Sequence, residues 1–349
     1  MDKLKVLSPF IIKKNKSVVD FIQDLSGTGF QGRALSKACF LLKEMVEDKD
    51  VTILFGYAGS LSVAGQWKIV EWLIENDIID ILVSTGANIS EDIVDAMGLN
   101  YYQGLTTENN ELLFEKGYNR YLDVYGKEED YNVMTELITD FILTLNRDHN
   151  YSSREFLHEF GMWLDSKNIN SIVTSAARKN VPIFCPAIVD SAYGDAAILA
   201  KTRGFNLCID SVKDYAEFMS LSNKTKSTGV FYIGGGVPKD FIQLFAVSSS
   251  LLYPEYEVPS RKDGQKRKTT QEISYPHKYA IQITTDSPQW GGLSGCTFEE
   301  AISWGKELGN DKHIQCYCDA TIALPLIVQG LADLLSNKNR FGNGYNSLF

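Results

Sequence analysis

Near the C-terminal end of the chain a lysine follows a tryptophan and a glycine, in Glu299-Glu300-Ala301-Ile302-Ser303-Trp304-Gly305-Lys306-Glu307-Leu308-Gly309. A large apolar face beside a residue with no side chain gives a lysine room to shed water and its proton. A neutral lysine amine is a nucleophile. The commoner fate of such a lysine is a solvated helix end, and this stretch by itself favours that reading. Carboxylates give a second signal. Asp190, Asp195 and Glu300 fall in or beside turns after apolar runs, and Glu91 opens a helix. Carboxylates sharing one pocket repel each other unless a cation sits among them. The histidines, His149, His158, His277 and His313, have no metal-binding spacing. An organic amine is therefore the expected cation, with the Trp304 face adding cation–π attraction, and no metal is expected. Each carboxylate taken singly could as well be a helix cap or first-turn charge, Glu91 above all. Gly234-Gly235-Gly236 ends an apolar run and precedes a helical pattern. It suits a phosphate cradle and equally a tight turn, and it meets neither the G-x-G-x-x-G fingerprint nor the P-loop pattern.

The elements that must carry these residues alternate. The stretches 51–60, 78–92, 181–197, 227–243, 279–295 and 314–331 each open on a short apolar run that ends in small or polar residues, and helical periodicity follows such runs. The pattern from Ser60 to Asp77 predicts a helix directly after the first run, and 133–147 predicts another in a more helical middle region. The fold class expected is α/β, Rossmann-like, with a mainly parallel sheet and helices on both faces. Such sheets bind ligands beyond the carboxyl ends of their strands. Those ends carry Gly59-Ser60, Thr85-Gly86, Asp190, Gly234-Gly235-Gly236, Thr285 and Asp319, which are expected to face one crevice. No linker is evident, so residues 1–349 are read as a single domain. The segment 250–280, with three prolines and a basic run from Arg261 to Lys268, reads as an inserted loop.

Composition narrows the class. Of 349 residues, 44% are hydrophobic and 22% charged, with a net charge of −10. That balance fits a soluble globular protein and argues against nucleic acid as a partner. No stretch is long and apolar enough for a membrane span. Six cysteines without a C-x-x-C pair do not make a disulfide framework, and a cytoplasmic location is expected.

The motifs together resemble the deoxyhypusine synthase family. The resemblance runs from Gly27-Thr28-Gly29-Phe30-Gln31 to about Leu331. Its stations are Thr85-Gly86 with Glu91-Asp92, Asn119-Arg120, Pro186-Ala187 with Asp190 and Gly194-Asp195, the triple glycine with Val237, Ser303-Trp304-Gly305-Lys306, and Asp319-Ala320. It implies a homotetramer using NAD at sites between paired subunits. Spermidine gives up hydride and 1,3-diaminopropane, and an aminobutyl group passes through a lysine imine to an acceptor amine. By position the lysine is Lys306. The resemblance assigns Asp195, Glu300 and Trp304 to the amine. It assigns Ser60, Thr85, Gly86, Glu91, Asp190, Gly235, Gly236, Thr285, Ser294, Asp319 and Ala320 to NAD. The chain departs from the family pattern in several places, among them the turn Ala58-Gly59-Ser60 and the added 250–280 loop. Asp240 stands where eukaryotic members have a substrate-contacting histidine, and Leu293 and Trp290 stand where they have aspartates. These features resemble the bacterial branch. They imply retained aminobutyl chemistry with an altered amine pocket, as in making homospermidine with putrescine as acceptor. The alternatives are a lysine of a translation factor as acceptor, and an NAD-binding relative without turnover.

Overall fold

The computed structural model describes residues 4–248, 276–335, 340 and 342–349. Of the segment 250–280, residues 250–275 lie outside the described residues, and 279–280 already belong to a strand. The chain forms two compact units, Met1–Gly56 with Ser220–Phe341, and Tyr57–Met219 with Gly342–Phe349. As the alternating pattern predicts, the fold is α/β, with parallel strands flanked by helices.

We number the parallel strands β1 (Val51–Tyr57), β2 (Ile81–Ser84), β3 (Ile183–Phe184), β4 (Ser227–Ile233), β5 (Tyr279–Thr284) and β6 (His313–Tyr317). In the first unit the order is β6, β5, β4, β1. Val230 pairs with Ala280, and Ala280 with His313, in parallel register. Every residue of β1, β4 and β5 is buried, which is why these runs read as continuous rather than alternating apolar stretches. Helix Phe30–Glu47 turns Leu35, Ala38, Cys39, Leu42 and Met45 inward at helical spacing. It packs on β6 and on helix Ala320–Leu334. That second helix starts from Asp319, whose carboxylate accepts the Thr321 N–H at 2.8 Å.

In the second unit β2 pairs with β3. Helix Ser153–Ser166 lies on helix Ile172–Arg178, and helix Glu128–Ile142 on helix Ala192–Thr202. Phe141, Phe156, Phe160 and Trp163 form an aromatic cluster, with Phe141 and Phe160 centroids 5.0 Å apart. The first helix pair meets at Gly161. A Cβ there would stand 2.4 Å from the Val173 carbonyl oxygen and 2.7 Å from the Ala177 Cβ. Backbone cannot yield as a side chain does, so Gly161→Ala is expected to cost about 1–3 kcal/mol. Urea unfolding would check this.

Two expectations change. The helix expected from Ser60 begins at Trp67. Ser60–Gly65 form turns, with Gly59 and Gly65 at φ +99° and +74°, where helical geometry is lost. The middle region also holds a small antiparallel sheet, Tyr101–Gln103, Val124–Lys127 and Tyr118–Tyr121, which the helical reading passed over.

Candidate active site

Local backbone chemistry explains the Trp-Gly-Lys sequence. The short helix Phe298–Ser303 is capped by Thr297, whose hydroxyl accepts the Glu300 N–H at 3.1 Å. It ends with Gly305 at φ +74°, a conformation glycine adopts without a Cβ penalty. The Gly305 N–H reaches the Ile302 carbonyl and the Lys306 N–H the Ala301 carbonyl, both at 3.0 Å. These two bonds make a Schellman closure, with glycine at its left-handed position and lysine next in line. A bridge then fixes the chain beyond it. His277 N–H donates to the Lys306 carbonyl and Leu308 N–H to the His277 carbonyl, each at 3.0 Å. Lys306 therefore stands on a backbone tied from both sides.

Its side chain is only 12% exposed. Nζ lies 3.7 Å from an Asp240 carboxylate oxygen, 3.5 Å from Gln243 Oε1 and 5.3 Å from the Trp304 ring centroid. Trp304 and Asp240 are about half exposed, and Glu300 is exposed on the first turn of its helix. A cation that reaches Asp240 thus also meets an indole face, worth about 0.5–1 kcal/mol where water remains.

The glycine turn opens the helix that carries Asp240 and Gln243. Gly234 and Gly236 have φ +68° and +57°, and helix Gly236–Ser248 starts there. A Cβ on Gly235 would fall 2.3 Å from the Ser294 Cα, so only glycine allows this approach. Among the described residues nothing lies within 4 Å of a Cβ added at Gly236. Ser294 donates its hydroxyl to Asp286, which holds that carboxyl below its ordinary range. Thr285 is exposed just past β5, and Leu293 is half-buried beside Ser294.

Buried polar side chains brace the turn. Lys239 is fully buried and donates to Gln282 Oε1 at 3.0 Å and the Cys296 carbonyl at 2.7 Å. Burial lowers its pKa to about 8. Gln282 in turn donates to the carbonyls of Gly234 and Ser294, and Gln315 Nε2 donates to Gln282 Oε1 and the Cys296 carbonyl. Sequence reasoning missed Lys239, Gln243, Gln282, Gln315 and Glu307. A signal existed for Gln282, a polar residue inside an otherwise apolar strand.

The second unit contains a cavity of about 460 Å³ whose lining includes Glu91, Glu128, Asp190, Ser191, Asp195 and Tyr131. Glu91, Asp190 and Asp195, singled out from the sequence, thus share one space. Glu91 Oε1 accepts the hydroxyls of Tyr131 at 3.2 Å and Tyr121 at 3.3 Å. Its Oε2 is buried with no partner among the described residues. Burial raises the Glu91 pKa to about 7, and the two tyrosines oppose that rise. A buried acceptor without a partner is unusual and marks this carboxyl as a group kept from water. The adjacent Asp92 is fully buried. One oxygen accepts the Ile172 N–H at 2.7 Å and the other has no partner among the described residues, and burial raises its pKa to about 7. At Gly86 an added Cβ would fall 2.3 Å from the Ser191 hydroxyl. The Thr85 hydroxyl accepts from Asn88 at 3.2 Å, and Ser60 is exposed. Among the described residues no His, Cys, Asp or Glu group is placed to hold a metal ion, and no helix is long and apolar enough to cross a membrane.

The fold and the lysine define a class: an α/β protein with a nearly enclosed lysine beside a carboxylate and an indole face. Comparison with known proteins gives the family. The family model for deoxyhypusine synthase matches residues 20–331, and the chain belongs to the deoxyhypusine synthase family, whose members are aminobutyl transferases. An Archaeoglobus fulgidus protein named probable deoxyhypusine synthase 2 is 44% identical over 320 residues, 92% of this chain and 100% of that protein. A Chlorobaculum tepidum deoxyhypusine synthase-like protein is 35% identical over 316 residues, 89% of this chain and 85% of that protein. A solved Entamoeba histolytica structure, assigned as a deoxyhypusine synthase, shares the fold with TM-score 0.60 at 17% identity, covering 95% of this chain and 97% of its own.

Proposed function

We propose that the protein transfers an aminobutyl group between small polyamines, using NAD and an imine on Lys306, with a homospermidine-type product. The observation that carries this reading is the setting of Lys306: a nearly enclosed amine with a carboxylate at 3.7 Å and an indole face at 5.3 Å. Asp240, Glu300 and Trp304 hold the donor ammonium, with Asp195 added by the family resemblance. A cationic donor competes with Lys306 for Asp240, and bond formation needs the lysine nitrogen as a free amine. The neutral Nζ then bonds to the oxidised donor carbon, the bond to 1,3-diaminopropane breaks, and the aminobutyl carbon stays on Lys306 as an imine. An acceptor amine next replaces the lysine nitrogen.

NAD fits the residues present. Glu91 lines a cavity together with Asp190 and Asp195, and the space at Gly236, clear of the described residues, admits a phosphate to the start of a helix. Ser60, Thr85, Gly86, Glu91, Asp190, Gly235, Gly236, Thr285, Ser294, Asp319 and Ala320 would hold it. When bound it takes hydride from the donor and returns it to the product. We place the enzyme in the cytoplasm as a homotetramer, on family resemblance. The relative 44% identical, named probable deoxyhypusine synthase 2, favours one alternative acceptor, a protein lysine.

The test is to incubate the protein with NAD and spermidine, with and without putrescine, and to identify all amines by mass spectrometry with borohydride trapping at Lys306. Homospermidine plus 1,3-diaminopropane and a trapped adduct is the expected result. A trapped adduct without homospermidine would move the reading to a protein acceptor. Neither adduct nor product would overturn it for spermidine.

A further inference from the structure

The segment Gly27-Thr28-Gly29-Phe30-Gln31 carries none of the groups given to the amine or the cofactor, yet it holds a costly conformation. Phe30 has φ +55°, and the residue is 96% exposed. The left-handed region is unfavourable for a residue with a Cβ, and a ring in water gains no packing that offsets it. Such strain persists only where surrounding contacts over-determine it. Here those contacts lie on both sides of Phe30. Before it, the Gly27 carbonyl accepts the Ser8 N–H at 2.9 Å and the Thr28 N–H donates to the Leu25 carbonyl at 3.0 Å. Arg33 Nε donates to the Thr28 carbonyl at 2.6 Å. After it, Gln31 Oε1 accepts the Tyr317 N–H at 2.7 Å, and the Cys316 thiol approaches the Gln31 carbonyl at 4.0 Å.

β6 is the outer strand of its set, and an outer strand leaves alternate N–H groups pointing away from its neighbour. Tyr317 presents such a group to Gln31. The next residue, Cys318, donates its N–H inward to the Thr284 carbonyl of β5 at 3.1 Å. The end of β6 is thus fastened from both sides, by backbone toward β5 and by one side chain on the outside. Asp319 and Ala320 follow directly and start the helix Ala320–Leu334.

We propose that Gln31 is a positioning residue for the cofactor: by taking the outward N–H of Tyr317, it fixes the point at which β6 passes to Asp319 and Ala320. The strained turn at Phe30 aims Gln31 at that strand end. The inference rests on the proposed function in taking Asp319 and Ala320 as NAD contacts.

The test uses the full chain and reads amide hydrogen exchange at Tyr317 together with NAD affinity by equilibrium dialysis. Gln31→Met keeps the length of the side chain and removes the acceptor. It is expected to speed Tyr317 exchange about tenfold and to weaken NAD binding by about three- to tenfold, with the urea midpoint unchanged because water reaches this exposed edge. Gln31→Glu still offers an oxygen, and its added charge is screened at an exposed position, so both values should stay within about twofold of wild type. Unchanged Tyr317 exchange in Gln31→Met would overturn the inference. So would faster exchange with unchanged NAD affinity, equal losses in the Met and Glu variants, or a urea midpoint that falls along with NAD affinity. At the turn, glycine accepts a left-handed backbone and valine resists it. Phe30→Gly is therefore expected to keep both wild-type values, and Phe30→Val to move both as Gln31→Met does. Equal behaviour of the two would overturn the part given to the turn. Wild-type protein that binds no NAD would remove the proposed function and this inference with it, whereas NAD binding that Gln31→Met leaves intact would remove this inference alone.

Discussion

Lys306→Ala protein is expected to fold, to bind NAD, and to transfer no aminobutyl group. The alternative to covalent transfer is direct attack by the acceptor, without the intermediate that divides one hard step into two easier ones. Removing the lysine should therefore lower turnover by about four orders of magnitude or more, and no borohydride-stable adduct should form. Folding should survive because the amine makes one long bond to Gln243 and one loose ion pair to a half-exposed aspartate. Such contacts are worth about 1 kcal/mol or less. The informative companion is Lys306→Arg. A guanidinium keeps the charge and reach but cannot lose its proton. Product mass spectrometry should find Arg as inactive as Ala. An Arg variant with wild-type turnover would mean that the site needs a cation and not a nucleophile.

The second large effect concerns stability. Asp92, ordinarily near 3.8, is raised to about 7 in the folded protein by burial. Between those two values the folded state keeps a proton that the unfolded chain has released. Stability is therefore fully present below the lower value and lost as pH rises through the upper one. Glu91 acts in the same direction, from 4.5 to about 7, and Asp214 from 3.8 to about 6. Asp92→Asn keeps a carbonyl for the Ile172 N–H and removes the titration. Urea unfolding should show that the variant loses less stability than wild type between about pH 5 and pH 7.5, by about 2–3 kcal/mol. Parallel curves for the two proteins would mean that Asp92 is ionised throughout.

Much of the architecture was legible because fully buried parallel strands leave unbroken apolar runs. Val51–Tyr57, Ser227–Ile233 and Tyr279–Thr284 all stand out for that reason. The small antiparallel sheet at 101–127 did not, since its half-exposed tyrosine-rich strands lack both an apolar run and clean alternation. That omission hid Tyr121, which with Tyr131 surrounds Glu91. At the lysine, Trp304, Gly305 and Lys306 could be read as a local unit because a Schellman closure is written in consecutive residues. Asp240 and Gln243 approach from a helix more than sixty residues earlier in the chain, and only folding brings them to Nζ. The grouping of Glu91, Asp190 and Asp195 around one cavity follows from strand ends sharing a side of a parallel sheet. Glu307 gave no readable sign, because a glutamate after a lysine is ordinary on a surface and its burial is a tertiary fact.

The contact between Gly235 and Ser294 has an evolutionary consequence. Lys239, Gln282 and Gln315 anchor the Ser294 and Cys296 carbonyls to the core, while Trp290 and Leu293 on the same loop make none of these side-chain bonds. Such a loop can drift at positions 290 and 293 while its fastening points stay fixed. If the proposed function holds, a mutational library confined to positions 290 and 293 would explore new amine preferences with little disturbance of Lys306, whereas a single methyl group at 235 would unseat the loop and close that route to diversification.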